Sequence, residues 1–299
     1  MISFILGFIL SNLVSQIKPL GVAADLLLPK GNSIEVRLPT AEGPTRIVNN
    51  SLGILTTAKG HIVIDAQTGK ILLEKKANEK LPLASITKLM TVLVFLDTNP
   101  DWEKEVVITK DDARIGSWLD VWPGESLKIK DLFYSALIGS NNNAIAALVR
   151  STGLSEEEFV GRMNTKAGEL GLANASFSDP TGLEAENVAS AGDIAELLDR
   201  ALKNEKIKEA LESDAYEFRT INTKSFHRIK NTDKLLGSYL KVVGGKTGYT
   251  VEAGFNLAIE VAGDKGQEII VVVLGSRSSE DRFQEAKGLA AWAFDNYFW

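Results

Sequence analysis

The sequence predicts an α+β fold: an antiparallel β-sheet built from both ends of the domain, flanked by helices, with a helical lobe inserted. Three observations predict it. His61-Ile62-Val63-Ile64-Asp65 and Ile71-Leu72-Leu73-Glu74-Lys75 surround Gln67-Thr68-Gly69-Lys70, the pattern of a β-hairpin with glycine in its turn. Residues 241–249, 254–262 and 268–274 read as strands, the last two joined by Gly263-Asp264-Lys265-Gly266. Between these ends the apolar spacing is helical. Strands at both ends are most economically joined in one sheet, with a cleft between sheet and lobe where a substrate would sit.

Composition narrows the function classes. A chain of 299 residues suffices for one large domain or two small ones. A net charge of -6 lacks the basic footprint of a nucleic-acid binder. There is no cysteine, which excludes disulfides and thiol catalysis, and the only histidines are His61 and His227. A zinc site of the usual His/Cys type is therefore not expected, and a Ser-His-Asp triad would have to use one of those two.

The elements follow in order. Residues 1–14 are almost wholly apolar, short of the roughly 17–25 residues that span a bilayer. Their length suits the apolar region of a signal peptide, and Val22-Ala23-Ala24 offers small residues for cleavage before Asp25, although no Lys or Arg precedes the run. Residues 1–24 are thus expected to be a signal peptide or an N-terminal membrane anchor, and the protein to be exported. Residues 25–55, with Pro29, Gly31, Pro39, Gly43 and Pro44, read as a linker or arm, and residues 56–299 as the catalytic domain. A buried helix starts near Ala84 and carries Leu89, Met90, Val92, Leu93, Val94, Phe95 and Leu96. Residues 127–138 and 144–149 are helical, broken at Gly139-Ser140-Asn141-Asn142-Asn143. Ser155 with Glu158, and Ser190 with Asp193, cap two more helices. The closing helix begins near Ser279-Glu280-Asp281, with acids at its positive end. Its stripe of Phe283, Ala286, Leu289, Ala290, Ala293 and Tyr297 is expected to pack on the sheet.

Three polar clusters interrupt this pattern. In Ser85-Ile86-Thr87-Lys88 the serine and lysine are three apart at a helix start and point from one face, a nucleophile beside a possible base. Ser15-Gln16-Ile17-Lys18 and Ser238-Tyr239-Leu240-Lys241 share the spacing, so it is not specific alone. Ser140-Asn141-Asn142 occupies the turn between two helices. Lys246-Thr247-Gly248 follows Gly244-Gly245 on a strand, where glycines suggest close approach of another backbone or a ligand. In this order the three form the Ser-x-x-Lys, Ser-x-Asn and Lys-Thr-Gly set.

On these motifs the sequence resembles the D-alanyl-D-alanine carboxypeptidases of the low-molecular-mass penicillin-binding protein family, over residues 58–299. Ile64-Asp65-Ala66-Gln67-Thr68-Gly69, Asp179-Pro180-Thr181-Gly182-Leu183 and Ala253-Gly254-Phe255-Asn256-Leu257 extend the resemblance. It implies a DD-peptidase/β-lactamase-like fold and a cofactor-free serine carboxypeptidase acting on peptidoglycan stem peptides outside the cytoplasmic membrane, with β-lactams as inhibitors. It also implies roles. Ser85 attacks the carbonyl and Lys88 takes its proton, its pKa lowered by burial and by the charge of Lys246. Ser140 relays a proton to the leaving nitrogen, and Asn142 bonds Lys88 and the substrate backbone. Lys246 and Thr247 hold the terminal carboxylate beside Gly248, and the N–H groups of Ser85 and Tyr249 receive the oxyanion. Two departures stand out. Asn141 replaces a common glycine and is expected to crowd its turn, and the β-rich C-terminal domain and amphipathic tail of many relatives have no counterpart before Trp299. The alternatives are a D,D-endopeptidase, which differs in the room beyond the scissile bond, a class A-like β-lactamase, and a penicillin-binding receptor without turnover. A receptor has no need of a nucleophile and base.

Class A β-lactamases draw a deacylating base from a Glu-x-x-x-Asn motif, whereas here Gly182-Leu183-Glu184-Ala185-Glu186-Asn187 gives neither glutamate that spacing. Benzylpenicillin should therefore leave a long-lived adduct on Ser85, visible by intact-mass spectrometry. Rapid return of the unmodified mass with multiple turnover would instead identify a β-lactamase.

Overall fold

Strands from opposite ends of the chain meet in one sheet in the computed structural model, which describes residues 43–114 and 121–299. The expected signal or anchor at 1–24, and the linker as far as residue 42, lie outside the described residues. A short strand β1 (Thr45–Arg46) leads to the hairpin β2 (Gly60–Asp65) and β3 (Ile71–Lys75). Then come β4 (Leu81–Pro82), a 3-10 turn over Ala84–Thr87 and helix α1 (Lys88–Leu96). The lobe holds β5 (Glu105–Val107), β6 (Ser126–Lys128), α2 (Ile129–Ile138), α3 (Asn142–Ser151) and α4 (Glu156–Glu169). It continues through β7 (Val188–Ala189), α5 (Ala191–Leu202), α6 (Glu205–Glu212) and the hairpin β8 (Ala215–Arg219) and β9 (Phe226–Lys230). The chain closes with β10 (Lys241–Thr250), β11 (Gly254–Ala262), β12 (Glu268–Ser276), α7 (Ser279–Asn296) and β13 (Tyr297–Phe298).

The main sheet has five antiparallel strands in the order β10-β11-β12-β2-β3. Val63 opposite Val271 splices the N-terminal hairpin onto the C-terminal meander. The run Ile269-Ile270-Val271-Val272-Val273-Leu274 is fully buried because the central strand is covered on both faces. Ile269, Val271 and Val273 face α7 with Leu257 and Ile259, whereas Ile270, Val272 and Leu274 join the core of the helical lobe. Among the described residues no helix is long and apolar enough to cross a membrane.

Several local expectations change. The helix expected from residue 127 starts at Ile129, because Ser126–Lys128 pair with Glu105–Val107 as strands. Residues 43–55 are more firmly held than a loose arm. Thr45–Arg46 pair with Tyr297–Phe298, and Trp292 Nε1 donates to Ser51 Oγ at 2.6 Å. The hairpin of β8 and β9 carries no turn signal as strong as Asn-Gly, so its polar sequence reads as loop. The capping boxes of Ser155 with Glu158 and of Ser190 with Asp193 form as expected. Tyr297 is buried, its hydroxyl donating to Leu72 O at 2.7 Å, while Phe298 is exposed.

Two contacts fix the sheet against the turn that carries Ser85. Gly248 on β10 runs so close that a Cβ there would lie 2.7 Å from Leu83 O and 3.2 Å from Ser85 N. Gly182 has φ +84°, and a Cβ there would lie 2.0 Å from Ala84 O. Gly182→Ala should therefore lower stability by about 3 kcal/mol, through backbone strain and displacement of the turn. The corresponding fall in melting temperature is about 6–12 °C, readable by thermal unfolding, and an unchanged melting temperature would contradict this packing.

Candidate active site

Ser85 sits half-buried in the 3-10 turn, preceded by Ala84 at φ +50°, a conformation a non-glycine residue holds only when its surroundings impose it. They do so through Asn256 on β11. Its Nδ2 donates to Pro82 O and Leu83 O at 2.9 and 3.0 Å, while Oδ1 accepts from Gly275 N at 2.7 Å. The leucine-rich α1 is buried nearly all round, and Lys88 at its first position is completely buried. The Lys88 amine lies 2.7 Å from Ser85 Oγ and donates to Thr181 O at 2.7 Å. Burial lowers its pKa to about 7, against a weaker upward pull from the Asp179 carboxylate.

The carbonyl under Lys88 is aimed by Asp179. Its carboxylate accepts from Thr181 N, Thr181 Oγ1, Gly182 N, Glu184 N and Asn187 Nδ2, which holds its pKa below the usual carboxylate range despite burial. Thr91 Oγ1 of α1 donates to Pro180 O at 2.6 Å, docking the loop on the helix. Glu184 and Glu186 are exposed, and Asn187 is buried.

The second and third motifs come together opposite. Ser140, at φ +58°, is half-buried, and its Oγ accepts from Lys246 Nζ at 2.7 Å. Asn142 is buried at the first position of α3. Asn141 does not crowd the turn: it is the N-cap of α3, its side chain accepting from Ala144 N at 2.9 Å. Thr247 Oγ1 donates to Thr232 Oγ1 at 2.7 Å, and Thr232 N donates to Ile138 O at 3.1 Å, tying β10 to the end of α2. Tyr249 is exposed and stacks on Phe255 with ring centroids 4.2 Å apart.

Lys246 is also fully buried. Its pKa is pushed well down by burial and by the charges of Lys88 and Arg282, with Asp233 opposing. The expected repulsion between the two lysines is real, but it weighs on Lys246, whereas burial dominates at Lys88. Arg282 of α7 lies behind β10, donating from Nη1 to Gly248 O and Asn256 O at 3.0 and 3.3 Å.

Both histidines have other partners. His61 Nδ1 bonds Thr56 Oγ1 at 3.0 Å, burial lowering its pKa to about 4, and His227 Nε2 bonds Glu125 at 2.9 Å. Among the described residues no cluster of three or more His, Asp or Glu side chains could hold a metal ion. The chemistry open to the site is nucleophilic acyl transfer: a serine beside a buried amine, with a second lysine and a hydroxyl facing it. Thr232, Asp233 and Arg282 are not singled out by sequence, and Asp179 enters there only as part of the resemblance, without a role. Asp179 had a signal in its Asp-Pro-Thr-Gly turn, whereas the others read as loop or helix-surface polarity.

The family model for D-alanyl-D-alanine carboxypeptidases matches residues 49–278. The D-alanyl-D-alanine carboxypeptidase DacF of Bacillus subtilis is 37% identical over 248 residues, 80% of this chain and 63% of that protein. The D-alanyl-D-alanine endopeptidase of Haemophilus influenzae is 33% identical over 75% of this chain and 78% of its own length. The crystal structure of the Streptomyces K15 DD-transpeptidase superposes with a TM-score of 0.77 at 28% identity, over 82% of this chain and 100% of that one. The chain spans somewhat over three-fifths of the carboxypeptidases it matches in Bacillus subtilis and Escherichia coli.

Only the neutral Lys88 amine can take the Ser85 proton. With its pKa at about 7, acylation of Ser85 by a β-lactam should fall about tenfold per pH unit below pH 7 and level off above it. Stopped-flow acylation rates across pH check this; a rate that is flat through pH 7 would remove Lys88 as the base.

Proposed function

The chain belongs to the D-alanyl-D-alanine carboxypeptidase family, and on that premise we propose that it is a serine D,D-peptidase removing the terminal D-alanine of peptidoglycan stem peptides. One observation carries the reading: a completely buried Lys88 with its amine 2.7 Å from Ser85 Oγ. A buried amine is a base at neutral pH where an exposed lysine is not.

In the proposed mechanism Ser85 Oγ attacks the carbonyl carbon of the penultimate D-alanine as its proton passes to Lys88. The oxyanion is received by the N–H groups of Ser85 and Tyr249, each worth about 3 kcal/mol to the transition state. The C–N bond then breaks, and the leaving D-alanine nitrogen takes a proton from Lys88 relayed by Ser140 Oγ. Water attacks the ester, gives its proton to Lys88, and Ser85 leaves as its hydroxyl is restored. Lys246 and Thr247 hold the terminal carboxylate, Gly248 keeps the strand close to Ser85, and Asn142 orients Lys88 and the substrate backbone. The link from Lys246 Nζ to Ser140 Oγ at 2.7 Å supports a common position for carboxylate anchor and proton relay.

A β-lactam presents the same carbonyl and carboxylate and is the expected inhibitor. Stem peptides place the work outside the cytoplasmic membrane, with export or attachment through residues 1–24. No cofactor is required. Purified protein incubated with a stem pentapeptide should release free D-alanine, and Ser85→Ala should reduce release at least about a thousandfold with the fold retained. Native-rate release by this variant would exclude Ser85 as nucleophile.

A further inference from the structure

Lys88 and Lys246 are both fully buried and repel each other, yet their tasks require opposite charge states. The base has to be neutral and the anchor charged. Burial alone does not decide which lysine keeps a proton, because it disfavours both. The decision needs a fixed negative charge nearer to one of them.

The buried carboxylates near the pair are Asp179 and Asp233, and they are committed differently. Asp179 has five donors on its two oxygens. Asp233 is 3% exposed; its Oδ1 accepts from Leu235 N at 2.9 Å, while Oδ2 has no hydrogen-bond partner among the described residues. That oxygen points at the back of β10, 2.8 Å from where a Cβ on Gly245 would stand, on the α7 face of the strand whose other face carries the Lys246 side chain. Asn231 Oδ1 accepts from Asp233 N at 2.9 Å, and Asn231 Nδ2 donates to Ser213 O at 2.9 Å, so the turn is held from both sides.

We propose that Asp233 is a positioning residue whose carboxylate keeps Lys246 charged in the empty site, so that the buried lysines divide into a charged anchor and a neutral base. The inference rests on the D,D-peptidase reading for the tasks of the two lysines. The charged groups acting on Asp233 are Arg282 from α7 and, through the strand, Lys246 of β10. Those acting on Lys246 are Lys88 from α1, Arg282 and Asp233, and Asp179 faces Lys88. Burial raises the Asp233 pKa, but two neighbouring cations favour its ionised form. Arg282 stays protonated at neutral pH, its pKa lowered by burial to about 10. With Arg282 and Lys246 charged, Asp233 ionised and Lys88 neutral, this group holds a single net positive charge, which one substrate carboxylate matches. Without Asp233 the charges of Arg282 and Lys246 stand uncompensated, and Lys246 sheds its proton more readily.

The test is Asp233→Asn, which keeps the shape and an acceptor for Leu235 N. Rates from about pH 5 to pH 10 are measured for D-alanine release from a stem pentapeptide and for acylation of Ser85 by benzylpenicillin. In the variant the alkaline limb of kcat/KM should move down by about one pH unit as Lys246 loses its proton earlier. The acid limb should stay in place, because burial and Asp179 set the Lys88 pKa. KM for the free-carboxylate pentapeptide should rise about tenfold at neutral pH. A lower but unshifted profile would overturn the proposal, since a merely structural role scales the rate without moving either limb. Thermal unfolding verifies that the variant is folded; if it is not, Asp233→Ser carries the same comparison. Wild-type protein that releases no D-alanine would defeat the D,D-peptidase reading, while the acylation profiles would still decide the role of Asp233.

Discussion

The site depends on a buried lysine whose proton is held only weakly. Moving the Lys88 pKa from 10.5 to about 7 corresponds to a cost on the order of 5 kcal/mol. Its sign follows from proton binding: between pH 7 and 10.5 the unfolded chain holds a proton that the folded protein has released. The cost is full below pH 7 and fades as the pH rises to 10.5. The surrounding core offsets it. Leu89, Met90, Val92, Val94 and Phe95 on the same helix are all buried, each contributing about 2 kcal/mol. An isolated Ser-x-x-Lys on a thin or solvated helix could not hold its amine neutral, so the lowered pKa of Lys88 is a property of core packing.

Four segments distant in sequence build the site, and each is fixed by polar contacts that a hydrophobic pattern does not reveal. Asp179 folds its loop so that a carbonyl reaches Lys88. Asn256 ties the sheet to the Ser85 turn. Asn141 starts α3 so that Asn142 is its first residue. Ala84 and Ser140, both at positive φ, show where this scaffold holds the backbone in a conformation it would not choose.

Much of this was legible in the chain. The strands read at 254–262 and 268–274 are long apolar runs between strong turn signals, and the capping boxes at Ser155 and Ser190 announce their helices. The three motifs were legible because each interrupts a regular pattern with groups that have little structural reason to be there. Asp233 was not, because an acid in a polar turn is ordinary until tertiary packing removes its solvent. Nor was Asn256, whose amide bridges partners of the Ser85 turn and of the strand end. Asn141, expected to crowd its turn, instead caps α3, because its side chain offers an acceptor to Ala144 N where glycine has none.

The sheet order constrains the time at which the site can assemble. Strand β2 leaves the ribosome early, but its inner neighbour is β12, so Val63 cannot pair with Val271 until nearly the whole domain has been synthesised. The clamp of Asn256 on Pro82 and Leu83 waits for the same event. Pairings this remote in sequence are slow to form and leave edges open in the meantime. A partly made chain therefore has its serine and lysine in water, where the amine stays protonated and the hydroxyl is inert. On the proposed chemistry, the nucleophile therefore exists only in the completed fold, and a nascent chain carries no reactive serine.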